Sequence, residues 1–436
     1  MQNRIIFARN LLHNRLIMFL VLLLSVGFDR PTKLHAQSGE FALKDGDRVV
    51  FYGDSITEQR LYTMFVEEFV LTRFPDRKVD FINAGVGGDK VSGGWAGPID
   101  LRLERDVFDN HPTVLTIMLG MNDGYYRPWG DGIFSTYSEG YRHMVDSVHK
   151  RLPGTRMLLI QPSPHDDVTR DPDFTPDYNQ TMIRFGRFVS QLAAETGAQS
   201  ADLNQPVVDA LTKAKSQNQA LSPALIQDRV HPEGAVHWLM AESVLKAWNA
   251  PPMVADVSID AGKGSTTRQV NAEITRIEKT KNGISWVELD HALPLPLSPD
   301  SDPLLGLVEQ VSDLRSALDR EVLQITGLQA GNYALQIDER RMAVYTAEQL
   351  AAGIDLGTVM TPMRQQSLLV AYETEKKNQI EAERFSFAWN AHSQQDRDAV
   401  AALEHGLDAA VAQQRRDCQP VPHRFALIRS AEAGTR

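Results

Sequence analysis

Residues 49–57 read VVFYGDSIT. Four apolar or aromatic residues stop abruptly at Gly53-Asp54-Ser55. A compact apolar run of this kind is the mark of a strand buried on both faces. A Ser placed where such a strand turns into a helix stands off the sheet edge, next to the free N–H groups of the first helical turn. A nucleophile and an oxyanion donor can coexist there. By itself, the tripeptide reads first as plain turn chemistry, because Ser caps helices and Gly suits tight turns.

Working outward, compact apolar runs recur at 48–52, 78–83, 113–119, 156–161 and 199–203. Helical patterns lie between them. They cover 57–74, ending at Pro75; 137–152, ending at Pro153-Gly154; 178–196, ending at Gly197; and 230–248, ending at Pro251-Pro252. These are sound stop signals. The alternating order predicts an α/β fold, a parallel sheet with helices on both faces. Ligands of such sheets bind at the C-terminal strand edge, so the residues just after each strand are the ones that matter. Beyond Pro252 the texture changes. Strand-like runs appear at 254–259, 270–278 and 284–289, with Asn282-Gly283 as a hairpin signal between the last two. A Pro-rich stretch from Pro294 to Pro303 precedes an expected helix at 304–319, and strands are expected at 322–326 and 333–337. Residues 368–416 are polar and helical in propensity, and the chain is expected to fray from Ser430 on.

Arg4, Arg9 and Arg15 precede the apolar run LIMFLVLLLSVGF at 16–28. The run is shorter than the roughly 20 residues of a spanning helix and fits the roughly 7–15 of a signal-peptide core. Residues 1–36 are therefore expected to be an export signal cut before Gln37, with an uncleaved anchor as the alternative. The whole chain carries a net charge of -11; the leader holds five basic residues and one acid, so its removal leaves -15. An acidic chain lacks the basic footprint of a nucleic-acid binder. The lone Cys418 excludes an internal disulfide and a Cys-rich zinc site. It sits in a polar tail region and is given no role.

Three further motifs carry chemistry. The second strand runs into Asn83-Ala84-Gly85-Val86-Gly87-Gly88-Asp89, whose glycines let backbone N–H groups face a ligand closely. A phosphate loop does not fit, because Val91 follows Lys90; the dinucleotide pattern does not fit, because Lys90 stands where its third Gly belongs. A catalytic backbone donor or a plain tight turn remains. The third strand runs into Gly120-Met121-Asn122-Asp123, and Asn122 could offer a side-chain N–H to an oxyanion or simply shape a turn. Last comes Asp228-Arg229-Val230-His231-Pro232, expected to open the helix at 230–248. An Asp and a His three residues apart can lie on one side of a turn, where the carboxylate fixes the tautomer of the imidazole and its other nitrogen faces a hydroxyl. An Asp cap beside an unrelated surface His is the plainer reading.

Taken together, the four motifs supply one nucleophile, three oxyanion donors and one oriented base at a single sheet edge. In order and spacing they resemble the SGNH hydrolases, also called GDSL-type esterases and lipases. The resemblance covers about residues 46–249. It implies a three-layer α/β/α, flavodoxin-like domain with a five-stranded parallel sheet. It implies Ser55 as nucleophile, His231 as its base and Asp228 as the group that orients His231. The N–H groups of Ser55 and Gly88 and the side chain of Asn122 would form the oxyanion hole, while Asp54 and Asp123 buttress the loops. The expected organisation is a signal peptide at 1–36, an SGNH domain at 37–252, a smaller β-rich accessory region at 253–367 and a helical C-terminal segment at 368–436.

No metal or organic cofactor is called for. His143, His149, His165 and His237 are expected to be surface or packing residues. Trp95, Tyr125, Tyr126 and Trp129 follow the second and third motifs and could stack on sugar rings, which would suit a deacetylase acting on glycans; ordinary loop packing is the other reading. The expected activity is an exported serine esterase for short-chain, chiefly acetyl, esters of small molecules or glycans, with no nucleic-acid partner and no stable membrane insertion once the leader is cut. A lipase, lysophospholipase or thioesterase is the alternative within the enzyme class, and a non-catalytic glycan- or partner-binding protein the alternative outside it. The oligomeric state is not legible in the sequence.

Overall fold

Val49, Val50, Phe51 and Tyr52 are buried on an interior strand of a five-stranded parallel sheet. The computed structural model describes residues 39–389 and 393–432; the expected leader lies outside them. The sheet consists of β1 (Arg48–Gly53), β2 (Asp80–Gly85), β3 (Val114–Met118), β4 (Arg156–Ile160) and β5 (Gln199–Ala201), in the order β2-β1-β3-β4-β5. Strand order reverses between β1 and β3. In open sheets this reversal leaves a crevice outside the C-terminal strand ends, and Ser55 and Asn122 follow those two strands. The expected three-layer α/β fold is the one the chain adopts.

The helices are α1 (Ser55–Glu58), α2 (Leu61–Arg73), α3 (Ile99–Asp106), α4 (Ile133–Arg151), α5 (Asn179–Thr196), α6 (Gln205–Gln217) and α7 (Gly234–Ala247). Helix α2 packs with α7, and α4 with α5. The single helix expected at 57–74 is broken at Arg60, which takes a left-handed φ of 64° that no helix interior accommodates. The helix expected from Val230 begins only at Gly234, because Asp228 ties up the N–H groups of Val230 and His231 in a turn. Helices α3 and α6 were not anticipated. Among the described residues no helix is long and apolar enough to cross a membrane.

The core of the sheet domain extends past Pro252. Leu295, Leu297, Leu305, Leu307, Val308, Leu314 and Leu318 pack into it. They come from the Pro-rich stretch and the helices Pro303–Val311 and Leu314–Leu318, which replace the single helix expected at 304–319. Apart from a two-stranded ribbon of Gly93–Gly94 and Gly97–Pro98, the remaining strands form two further sheets. One is antiparallel in the order Ala272–Thr280, Gly283–Asp290, His423–Ser430, Asn332–Ile337, Arg340–Thr346. The other is mixed, in the order Ile354–Asp355, Arg320–Thr326, Met253–Asp260, Ser265–Val270. A second apolar core joins them, built on Trp286, Phe425, Leu323, Ile325 and Leu335. Cys418 is buried in this core rather than lying in a polar tail.

The helical segment expected at 368–416 is a hairpin of Pro362–Trp389 and Gln394–Asp417, and the chain then returns as the strand His423–Ser430. The first hairpin helix runs along β2, the edge strand. Unpaired strand groups there need partners, and two side chains one helical turn apart supply them. Lys377 Nζ donates to Phe81 O at 2.9 Å, and Glu381 Oε1 accepts the N–H of Asn83 at 2.9 Å. Lys377 also meets Glu67 at 3.1 Å, and Arg60 donates to Glu381 Oε2 at 3.1 Å. Lys377, Glu381 and Glu67 are all buried. Lys377→Met leaves the buried Glu67 carboxylate without its cation and the Phe81 carbonyl without its donor, while Glu381 keeps Arg60. It is expected to destabilise the fold by about 3–5 kcal/mol, read as a lower urea midpoint; an unchanged midpoint would show that the helix does not cap this edge.

Candidate active site

Asp54 caps α1 by accepting the N–H of Ile56 at 3.1 Å, which places Ser55 at the first position of the helix. The turn is tight: a Cβ on Gly53 would lie 2.1 Å from Thr57 Oγ1. The second loop is laced onto the first. Asn83 Nδ2 donates to Thr57 O at 2.7 Å, and Asn83 Oδ1 accepts the N–H of Gly85 at 3.0 Å. A Cβ on Gly85 would fall 2.3 Å from the backbone nitrogen of Glu58, and one on Gly87 would stand 3.8 Å from Ser55 Cβ. The glycines thus let this loop close on the serine. Gly88 follows at φ +76°, with nothing within 4 Å of a Cβ position. Buried Asp89 anchors the loop from below, accepting from Arg102 Nε at 2.7 Å.

The third loop brings in Asn122. Its Nδ2 donates to Asp89 O at 3.1 Å, and its Oδ1 accepts from the Tyr126 hydroxyl at 2.9 Å. The Asp89 carbonyl can only accept, so the end of the amide that faces it is the nitrogen. The fourth segment supplies His231. Asp228 Oδ1 accepts the N–H groups of Val230 and His231 at 2.9 and 2.8 Å, and Asp228 Oδ2 meets His231 Nδ1 at 2.6 Å. Arg229 takes a φ of 72° and donates to Asp167 Oδ1 at 3.3 Å and Asp171 O at 2.8 Å, which pins the turn. His231 Nε2 lies 2.8 Å from Ser55 Oγ. The carboxylate beside Nδ1 assigns the proton there and leaves Nε2 free to accept the Ser55 proton. Such a chain can activate a hydroxyl for attack on a carbonyl.

Electrostatics separate the acids. Burial pulls the Asp228 carboxyl upward, but the N–H and imidazole of His231 and the N–H of Val230 outweigh it and hold the pKa at about 2. Asp228 is thus ionised beside His231. Burial pushes Asp54 up to about 7 against its bond from Ile56, with the Asp123 charge adding to the rise. Burial likewise pushes Asp123 up to about 7, against the N–H of Val91 that it accepts. His237 is driven down to about 3 by burial and stays neutral; its Nδ1 accepts the N–H of Tyr62. It is a packing residue, as expected, whereas His165 is buried and paired with Asp167 at 2.9 Å, next to Tyr178.

Of the aromatic residues, Trp95, Tyr125 and Tyr126 are exposed. Trp95 Nε1 donates to Gly87 O at 2.8 Å, which sets the ring beside the serine loop. Tyr126 stacks on Tyr178 at 5.1 Å. Trp129 turns inward against Phe185, with Arg184 over its ring. Residues that sequence reasoning passed over are Glu381, which holds the second loop, and Arg102, which holds Asp89. Neither has a local sequence signal, since each acts on a segment distant along the chain.

Residues 51–239 match the model of the GDSL-like lipase/acylhydrolase family. This stretch is an SGNH hydrolase domain, and the chain carries an ester hydrolase of that superfamily. Over 223 residues, 46% of this chain and 93% of the relative, it is 26% identical to an acetylxylan esterase of Geobacillus stearothermophilus. The structure of a gut microbial diltiazem-metabolizing enzyme matches over 89% of this chain and 98% of its own, at 26% identity and a TM-score of 0.79. That likeness extends beyond the hydrolase domain into the C-terminal region.

Asp54 and Asp123 make stability pH-dependent. Their folded pKa values stand above the ordinary carboxylate value, so the fold holds their protons more tightly than the unfolded chain does. This contribution is complete below the unfolded pKa near 3.8 and is lost as pH rises through about 7. Asp123→Asn cannot ionise. It is expected to flatten the fall in melting temperature between pH 5 and pH 8; a fall as steep as in the parent would show that Asp123 is already ionised at pH 5.

Proposed function

We propose that the protein is an exported serine esterase that removes short acyl groups, chiefly acetyl, from small-molecule or carbohydrate esters. Ser55 is the nucleophile, His231 the general base and Asp228 the residue that orients it. The observation that carries this reading is the pair of contacts at His231, 2.8 Å to Ser55 Oγ and 2.6 Å to Asp228. In the first half-reaction His231 Nε2 takes the Ser55 proton as Oγ attacks the ester carbonyl. The tetrahedral oxyanion is held by the N–H groups of Ser55 and Gly88 and by Asn122 Nδ2. Collapse expels the alcohol, which takes the proton from His231. Water, deprotonated by His231, then attacks the acyl-enzyme and releases the acid. Asp228, ionised at neutral pH, stabilises the imidazolium in both steps.

Acetylated carbohydrate as substrate is supported by the likeness to an acetylxylan esterase and by two exposed aromatic residues on the candidate loops, Trp95 bonded to Gly87 and Tyr126 bonded to Asn122. Export is supported by the Arg-flanked apolar run at 16–28. A non-catalytic binding module has no use for a hydroxyl, an imidazole and a carboxylate in one hydrogen-bonded chain.

An ester panel containing acetylated sugars, short aliphatic esters and phospholipids tests this reading, with Ser55→Ala as the blank. Ser55→Ala is expected to abolish turnover, and Asn122→Ala to lower kcat by about 10²–10³. A serine-directed covalent inhibitor is expected to label Ser55. Purified Ser55→Ala that turns over esters like the parent would refute the assignment, and absence of both labelling and hydrolysis would favour a binding module.

A further inference from the structure

Helix Pro362–Trp389 lies outside the hydrolase domain, yet its last residue meets the loop beside Ser55. Trp389 and Trp95 pack edge to face, with ring centroids 5.6 Å apart at 65°. Trp95 is 73% exposed although its indole nitrogen is anchored on Gly87, where a Cβ would stand 3.8 Å from Ser55 Cβ. An exposed aromatic ring held this way is preorganised for contact. Trp389 is held too. The Arg105 guanidinium lies 4.1 Å over its ring, and Phe385 packs at 4.9 Å. Arg105 is fixed in turn by Asp106 and by a 3.3 Å bond to Ala96 O, next to Trp95. One arginine therefore fastens both sides of the corner made by the two indoles.

We infer that Trp95 and Trp389 form a subsite beside Ser55 for a ring in the alcohol portion of the ester, with Trp389 as a specificity residue delivered by the C-terminal hairpin. This rests on the reading of Ser55 as the nucleophile. Two indoles at an angle offer a stacking face and an apolar wall. That shape fits the flat face of a pyranose or an aromatic ring, which stacks and packs on indole. A methyl or ethyl alcohol portion is too small to touch both.

The test compares Trp389→Ala and Trp389→Phe with the parent on benzyl acetate, an acetylated methyl xyloside and ethyl acetate. In Trp389→Ala the ratio of kcat/KM for a ring ester to that for ethyl acetate is expected to fall about three- to tenfold, the range of one aromatic contact. The fall should come through KM, and Trp389→Phe should restore most of it. The arm that falls, benzyl or xyloside, identifies the ring. An unchanged ratio, or an equal loss on every ester, would overturn the subsite and leave Trp389 a structural residue. A second measurement does not depend on turnover: benzyl acetate and the xyloside are titrated against Ser55→Ala with and without Trp389→Ala, and the second change is expected to weaken binding of one of them about three- to tenfold. No weakening of either overturns the subsite. Failure of the nucleophile reading shows separately, as hydrolysis by Ser55→Ala.

Discussion

A 2.8 Å hydrogen bond between Ser55 and His231 joins positions 176 residues apart, and most of the first half of the chain serves to make it. The bond is short and directional, so both partners must be held to a fraction of an ångström. Ser55 is held because β1 is a buried strand between β2 and β3 and Asp54 starts a helix at its end. His231 is held from two sides. Asp228 grips its backbone and its ring, and the Arg229 side chain reaches the loop that follows β4. The parallel sheet gives these segments a common edge, and glycines at 85 and 87 let the second loop approach without a clash.

The sequence made the five strands and the four motifs legible because both are local. Compact apolar runs mark buried strands, and the loops that follow them carry the polar residues that cannot be core. The departures have local physical causes that pattern alone does not reveal. Arg60 breaks a helix whose apolar spacing continues through it. Asp228 delays α7 by holding two N–H groups in a turn, although Pro232 suits a helix start. Helix α3 was hidden by its charged residues, among them Arg102, which is buried because it pairs with Asp89 and Asp106. The strand Ser265–Val270 is mostly exposed and polar, so it lacks the alternation that betrays a strand. Least legible were the contacts between distant segments, such as Lys377 with Phe81 and Glu381 with Asn83. They depend on where the hairpin lands.

That landing also alters what counts as the hydrolase. Match to the family model ends at residue 239, but the sheet core takes in leucines from 295 to 318, and β2 is finished by side chains from 377 and 381. Glu381 binds the backbone of Asn83, whose side chain bonds the serine helix, so the hairpin is two hydrogen bonds away from the turn that carries Ser55. The accessory region is therefore part of the scaffold that positions the loops.

The strand His423–Ser430 lies in the middle of its sheet, between Gly283–Asp290 and Asn332–Ile337. A ribosome delivers residues in order, so those two neighbours stand unpaired along their inner edges until position 423 has emerged. The N–H of Asn83 in β2 likewise waits 298 positions for Glu381. The nascent chain thus carries three open strand edges while it is being made. Such edges are where a growing polypeptide joins a neighbour in error, and they are the surfaces that a holding chaperone has to shield.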